Sequence, residues 1–528
     1  MKLNAKASLS ITVSSTDETP FYQQIAQCIR ERILNERLLA HSLLPSSREL
    51  SIQMGVSRST VVQAYDLLVS EGWLVSQPKR GFFVAERLPE LMSSMLTQRR
   101  ETQSRANLQR LTVEENLQRI HFDSGADVRL FPNNAWSKAL RQSALYPDLN
   151  VLKGHYASGL PALKVAIAEY IKDLRGLVCT PEQIIITSGN RDALSIISHS
   201  FFSIKTEYKK IPSPLGVKSF GQVWLENPTY VPMAAFFQWL GLAIKPIQID
   251  EEGAVLPTLS QEHTLKRNVD NALIVLTPNR QYPLGHSMSS MRRQNWLSVL
   301  ETVSKERTWL IEDDYDSEFL YQGRNHAPLM QLDQNDQVFY LGSFSKVMFR
   351  GLRMGYIIAP LTHAKKLQES QRQLGNTAAL MAQPALSAFI NSGDFSTHLR
   401  RMRRQYLERR NTLNSLLINY LSQWFEWQLP SGGMHQLILF QPQWIQKNKV
   451  TIKKIQSGGL CLDRIIEEQL KAQNVMVQSL SKSYFSGDVA VSKQGFILGF
   501  TALNEAEMAE GVQTIKKVME ILIDGSAK

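Results

Sequence analysis

Apolar residues recur at helical spacing early in the chain. Ile25, Cys28, Ile29 and Ile33 fall on one side of the stretch from Phe21 to Leu34, which predicts an amphipathic helix. After a break at Pro45, Ser46-Ser47 ahead of Arg48-Glu49-Leu50 has the pattern of a capped second helix. Gly55-Val56-Ser57 predicts a turn, and Ser57 caps a third helix whose inward face is Val61, Ala64, Tyr65 and Leu68, ending at Gly72. Two short helices about a glycine turn are what a helix-turn-helix needs, its second helix lying in the major groove. Trp73-Leu74-Val75 and Gly81-Phe82-Phe83-Val84 then predict two strands around Gln77-Pro78-Lys79-Arg80, a wing. Any one of these helices alone fits a generic three-helix module equally well.

The apolar pattern fades from Glu86 to about Arg119, where Gln98-Arg99-Arg100, Arg105 and Arg110 stand without an apolar stripe. This reads as a solvated linker; about 33 flexible residues would span roughly 30 Å. Beyond it, strands and helices alternate. Ile184-Ile185-Ile186 runs into a helix containing Ala193, Leu194 and Ile197, and Val223-Trp224-Leu225 ends in a turn at Asn227-Pro228. Strands follow at Leu242 to Ile249, Ala272 to Leu276 and Trp309, with a helix from Met288 to Lys305. That alternation predicts a parallel sheet with crossover helices, buried on both faces. Ser203 to Gln222 and Asn448 to Leu460 read as surface insertions, the latter a loop. Helices are expected from Leu361 to Leu374 and Ala382 to Asn391, and the basic stretch Thr397 to Arg410 reads as a solvated or interface helix rather than a nucleic-acid site. The remainder, with Gly432-Gly433-Met434-His435, reads as a small α+β domain. The expected fold class is multidomain: an α+β winged helix-turn-helix over residues 1–85, a linker over 86–120, and an α/β domain with a small α+β subdomain over 121–528.

Composition narrows the class. With 528 residues the chain exceeds one ordinary core, so at least two domains are expected. No apolar run reaches the length of a membrane span, and Met1 to Ser15 has no secretory pattern, so no membrane partner is expected and the localisation is read as cytoplasmic. Cys28, Cys179 and Cys461 lie far apart with no metal-ligand spacing, and read as reduced thiols. A net charge of +11 permits an acidic partner such as DNA without requiring one.

The candidate chemistry centres on Ser343-Phe344-Ser345-Lys346, after the apolar run Gln337 to Leu341 and ahead of Arg353. A lysine so placed suits an aldehyde-phosphate cofactor: Lys346 would form an imine, while Ser343, Ser345 and Arg353 would hold the phosphate, the arginine through its planar fork. A buried lysine beside serines is the plainer alternative. Upstream, Trp309-Leu310-Ile311-Glu312-Asp313-Asp314-Tyr315-Asp316 ends an apolar strand in carboxylates and a phenol, the two groups that a pyridoxal ring needs.

Taken in order, I-E-D-D-Y-D-S-E-F, Y-L-G-S-F-S-K and G-L-R-M-G-Y resemble the aminotransferase-like half of MocR/GabR regulators, a branch of the GntR superfamily. L-P-S-S-R-E-L, G-V-S-R-S-T-V-V-Q-A-Y and the E-G-W-L…G-F-F-V wing resemble its winged helix. The resemblance implies a transcription regulator with a fold-type I domain that takes pyridoxal 5'-phosphate at Lys346. Asp313 would meet the ring nitrogen, Tyr315 the ring oxygen, Tyr230 the ring face, and Gly189, Asn190 and Arg191 the phosphate; Gln281 would lie near the ring oxygen. From the residues alone, the strand-to-helix turn at Gly189 is equally an ordinary turn or a phosphate site, and Tyr230 equally a core tyrosine. On the DNA side, Arg48 and Arg58 would contact phosphates, Ser57, Ser59, Thr60 and Gln63 would face the groove, and Lys79, Arg80 and Gly81 would form the wing tip. The implied partners are operator DNA, a small amine, amino-acid or B6-vitamer effector, and a second copy in a head-to-tail homodimer. Two departures stand out. Gly154 replaces the family's usual tyrosine, with Tyr156 as substitute, and Ile497-Leu498-Gly499-Phe500 lacks the arginine that aminotransferases use for a substrate carboxylate. The competing expectation is a working aminotransferase tethered to DNA, retaining transamination chemistry.

Overall fold

A computed structural model describes residues 19–35, 37–78, 80–86, 119–123, 125–202, 204–205, 218–219, 221–258, 271–303, 307–375, 378–456, 460–485 and 493–524. The chain divides into two compact units, Met1–Leu117 and Gln118–Lys528. The expected linker lies almost wholly outside the described residues.

In the first unit, helices α1 (Phe21–Leu34), α2 (Ser47–Met54) and α3 (Arg58–Ser70) precede a hairpin of β1 (Leu74–Gln77) and β2 (Gly81–Val84). Ser46 starts α2 through a reciprocal cap: its Oγ accepts the Glu49 N–H at 3.2 Å, and the Glu49 carboxylate accepts the Ser46 N–H at 2.9 Å. Such a cap contributes about 1 kcal/mol. Gly55, at φ 66°, closes the same helix in the left-handed conformation. Ile25, Ile29 and Ile33 of α1 pack on Val61, Ala64, Tyr65 and Leu68 of α3, with Trp73 and Leu74 beneath. One feature has no cue in the apolar pattern. Residues 41–44 lie along the hairpin as an extra edge, the His41 N–H donating to Val84 and the Leu44 N–H to Phe82.

The second unit is built on an eight-stranded sheet. Its strands are β3 (Ile184–Thr187), β4 (Gly221–Asn227), β5 (Ala243–Asp250), β6 (Gly253–Ala254), β7 (Asn271–Leu276), β8 (Thr308–Asp313), β9 (Val338–Ser343) and β10 (Gly355–Ile358). They lie in the order β3-β10-β9-β8-β7-β4-β5-β6. Successive residues of β7 face opposite layers, as strand geometry requires. Leu273 and Val275 join Ala193, Leu194 and Ile197 of helix α4 (Asn190–Phe201), whereas Ile274 and Leu276 join Trp296 and Leu300 of the helix Ser290–Thr302.

The strands expected from the alternation run in one direction, and one further strand, β10, departs from them. Neighbours among β5, β4, β7, β8 and β9 are parallel, but β10 runs antiparallel to both β9 and β3. Only residues 344–354 join β9 to β10, short of the roughly a dozen or more residues, helix included, that a parallel crossover takes. Nor is the sheet covered throughout: in β5 only Ile247 is buried, and the short antiparallel β6 finishes that edge. The expected loop at Asn448 to Leu460 is also corrected, since Lys449–Ile455 is helical and buries Ile452 in the main core. Of the expected insertion Ser203 to Gln222, residues 206–217 lie outside the described residues, and Gly221-Gln222 already belong to β4.

The small subdomain is a four-stranded antiparallel sheet of Phe425–Glu426, His435–Phe440, Gly495–Gly499 and Gln478–Ser479, packed with Leu462–Ala472 and Glu505–Asp524. Beside it, Ile120–His121 pairs in parallel with Val475–Met476. Among the described residues no helix is long and apolar enough to cross a membrane.

Candidate functional site

The ends of β3, β4, β7, β8 and β9 and the start of β10 meet at one edge of the sheet, with Thr187 opposite Gly355, Ser343 opposite Gly355 and Asp313 opposite Leu341. Open α/β sheets bind ligands outside this carboxyl edge. A cavity of about 660 Å³ lies there. Lys346, Asp313, Tyr315, Tyr230, Ser343, Ser345, Arg353, Gly189, Asn190 and Arg191 all line it. Gly355 keeps the floor tight, since a Cβ on it would come within 3.3 Å of the Gly189 Cα.

The acidic run Glu312 to Glu318 sorts itself by partner. Glu312 meets Arg293 at 3.5 Å, Asp316 meets Arg280 at 3.2 Å, and Asp314 takes the Arg175 Nε at 2.8 Å and the Tyr340 hydroxyl at 2.7 Å. Glu318 accepts from the Tyr170 hydroxyl at 2.6 Å. Asp313 alone of these five both lines the cavity and stands in no ion pair among the described residues; it accepts from the Asn190 amide at 2.9 Å. Burial, with Asp314 and Glu226 nearby, pushes its carboxyl up to about 7. The phenol of Tyr315 is buried with no hydrogen-bond partner among the described residues. Burial also pushes that phenol up and holds the Lys346 amine below the usual lysine range.

The structure places Gln281 elsewhere. Its amide donates to the carbonyls of Pro228 at 2.8 Å and Tyr282 at 2.7 Å, and its Oε1 accepts from the Leu284 N–H at 3.1 Å. These bonds shape the turn after β7 and tie it to the turn after β4, leaving Gln281 out of the cavity lining, where Tyr282 stands instead. Tyr156, the suggested substitute, bonds to Asp148 at 3.1 Å and likewise does not line the cavity.

Several lining residues escaped sequence reasoning. Glu226, at the end of β4, is buried, accepts the Thr277 N–H at 3.0 Å and is pushed up to about 7 by burial. His121, Phe122 and Asp123 form one wall beside Met476, Val477 and Gln478. Arg350 stands at the same wall, 3.2 Å from Asp123. The E-x-P-x-Y spacing from Glu226 to Tyr230 was a usable signal; a wall made by pairing remote strands left none.

In the first unit the residues expected to face DNA occupy mostly exposed positions. Arg48, Ser57, Arg58, Ser59, Gln63, Arg80 and Gly81 are exposed and Thr60 half-buried, while Lys79 lies outside the described residues. The Ser57 hydroxyl caps α3, accepting the Thr60 N–H at 3.2 Å, and lies 2.8 Å from the Ser59 hydroxyl. Arg58 leans on the Ser47 hydroxyl at 3.5 Å. By contrast, the basic helix Asp394–Leu421 spends much of its charge internally: Arg403 donates to the Glu318 carbonyl, Arg409 to Asp127 and Arg410 to the Pro430 carbonyl.

Residues 21–84 match the family of bacterial regulatory proteins, gntR family, and residues 126–485 match aminotransferase class I and II. The "Probable rhizopine catabolism regulatory protein MocR" of Rhizobium meliloti is 29% identical, over 97% of this chain and 96% of that protein. The HTH-type pyridoxine biosynthesis transcriptional regulator PdxR of Corynebacterium glutamicum is 31% identical, over 82% and 86% respectively. Among solved structures, Pyrococcus horikoshii kynurenine aminotransferase in complex with PMP superposes with a TM-score of 0.63 at 20% identity, over 78% of this chain and 93% of that one. The α-aminoadipate aminotransferase LysN of Thermus thermophilus, complexed with N-(5'-phosphopyridoxyl)-L-leucine, gives 0.60 at 22% identity, over 78% and 95%. These likenesses to solved structures carry the fold.

Proposed function

This chain belongs to the MocR- and PdxR-type transcriptional regulators, a GntR-type DNA-binding domain fused to an aminotransferase class I and II domain, and from that premise we propose that occupancy of the Lys346 cavity sets its grip on promoter DNA. The cofactor is pyridoxal 5'-phosphate; the effector is a small amine, an amino acid or the vitamer itself. The observation that carries this reading is the sorted acidic run. A buried carboxylate without a counter-cation is costly, and Asp313 would regain its charge against a protonated ring nitrogen. The orphaned Tyr315 hydroxyl fits a ring oxygen in the same way.

When bound, pyridoxal phosphate supplies an aldehyde that condenses reversibly with primary amines and a ring that withdraws electrons. Lys346, favoured in its neutral form by burial, provides the nucleophilic amine. Ser343, Ser345 and Arg353, with the helix start at Gly189, Asn190 and Arg191, would hold the phosphate. Tyr230, half exposed in the cavity lining, would cover a ring face. An effector amine competes with Lys346 for one attachment point. In the first unit, Arg48 and Arg58 position the domain on phosphates, and Ser57, Ser59, Thr60, Gln63, Lys79, Arg80 and Gly81 reach the grooves. A homodimer would present two such units to two half-sites.

The test is the affinity of the full chain for the DNA upstream of its own gene, with pyridoxal phosphate removed and then restored. A coupling of roughly 1–3 kcal/mol corresponds to a change of about 5–150-fold. Arg58→Ala should weaken binding to all sequences alike and reduce the salt slope by about 1. Equal affinity with and without the cofactor, and with it plus amines, would overturn the proposal.

A further inference from the structure

The strand Gly495–Gly499, where an aminotransferase-like chain is expected to carry its carboxylate-binding arginine, contributes Ile497 and Gly499 to the cavity and no charge. Apart from Lys346, the cations lining the cavity among the described residues are Arg191, Arg350 and Arg353. Arg191 follows the Gly189 helix start, and Arg353 stands in the left-handed conformation at the foot of β10, so both belong to the proposed phosphate end. Arg350 is differently placed. Its guanidinium pairs with Asp123 at 3.2 Å, and the carbonyl of the preceding residue, Phe122, accepts the N–H of Gly499 at 3.1 Å. The pair therefore stands beside the strand that lacks an arginine.

We propose that Arg350 is the effector's carboxylate receptor, and that the effector is a primary amine bearing a carboxylate, which displaces Asp123 from Arg350. The inference rests on the reading of Lys346 given above. Arg350, Asp123 and Lys346 line the same cavity, so a ligand whose amine is held at Lys346 shares that space with both charges. The side chains of the pair are 62% and 46% exposed, and ion pairs of that kind contribute little, so a better-placed carboxylate exchanges in at small cost. Arginine's planar fork suits the incoming group as well as the outgoing one.

The exchange has a direct route out of the site. Asp123 ends the strap that the chain forms as it enters the second unit, where the Ile120 N–H donates to Asn474 and the Phe122 N–H to Met476. The bare Gly511 accommodates Phe122, whose ring would lie 2.4 Å from a Cβ there. Releasing Asp123 removes one of the strap's tethers.

Ethylamine, L-alanine and β-alanine form a matched set, the two acids being ethylamine with a carboxylate on either carbon. Titrated into full-length protein loaded with pyridoxal phosphate, and followed by cofactor absorbance, at least one alanine should half-saturate at a concentration tenfold or more below that of ethylamine. Arg350→Gln should bring that ratio to within about twofold, and Asp123→Asn should increase it. Amide exchange at Ile120 and Phe122 should quicken with the alanine and not with ethylamine. Equal response to acid and amine in the wild type, a ratio that survives Arg350→Gln, an Asp123→Asn protein with a smaller ratio, or unchanged amide exchange would each overturn the proposal. A wild-type protein that never takes up the cofactor would instead sink the reading of Lys346.

Discussion

Arg175→Met is expected to destabilise the larger unit by about 3–5 kcal/mol, the range for breaking a buried ion pair from one side. The Arg175 and Asp314 side chains are 0% and 1% exposed, and the Nε to Oδ2 distance is 2.8 Å. Methionine fills much of the space but leaves Asp314 with the Tyr340 hydroxyl as its remaining side-chain partner among the described residues. The loss follows from the stranded charge rather than from the value of the pair, so adding Asp314→Leu should restore most of the stability. Denaturant unfolding of the full chain, followed on the transition of the larger unit, checks both steps. A single variant within about 1 kcal/mol of the wild type would contradict this account of the pair.

Asp313→Asn should act in opposite directions on cofactor binding and on the stability of the empty protein. Without cofactor, Asp313 holds a proton in the fold up to about pH 7 but loses it near pH 4 when unfolded. The folded state therefore binds the extra proton between those values, and raising the pH through that window removes about 1.4 kcal/mol per pH unit for each such proton. The stability that its raised pKa lends is complete below pH 4 and gone above pH 7. Asparagine has no proton to lose, so the variant's stability should fall less steeply between pH 4 and 7. Pyridoxal phosphate affinity should nevertheless drop by about 100-fold or more, since a ring cation would lose its buried partner. Denaturation across pH, paired with a cofactor titration, separates the two effects. A merely structural aspartate would change stability and leave affinity close to that of the wild type.

The first unit was largely legible because its cues are local. Ser46 with Glu49, Gly55, and Ser57 ahead of Val61, Ala64, Tyr65 and Leu68 define helices within a few residues of themselves. The same holds for the strands of the large sheet, whose apolar runs are short and bounded by turns. The acidic run was different. Its spacing showed many carboxylates, but which of them faces a ligand depends on Arg175, Arg280 and Arg293, which come from other turns and helices. Gln281 sat at a suggestive place in a motif, yet its amide is used by its own turn and by the remote turn at Pro228. The wall of His121, Phe122 and Asp123 rests on a parallel pairing with Val475–Met476, and nothing in either stretch points to the other. The direction of β10 was hidden for a related reason: apolar pattern marks a strand, while the length of the connection before it decides which way it runs.

Borohydride reduction of the full chain saturated with pyridoxal phosphate, followed by peptide mapping, addresses the attachment point itself. The account predicts one pyridoxyl group, on the peptide that carries Lys346, and a colourless Lys346→Ala protein whose DNA affinity no longer answers to cofactor or amine. A label on another lysine, or a Lys346→Ala protein that stays yellow and still responds, would contradict it.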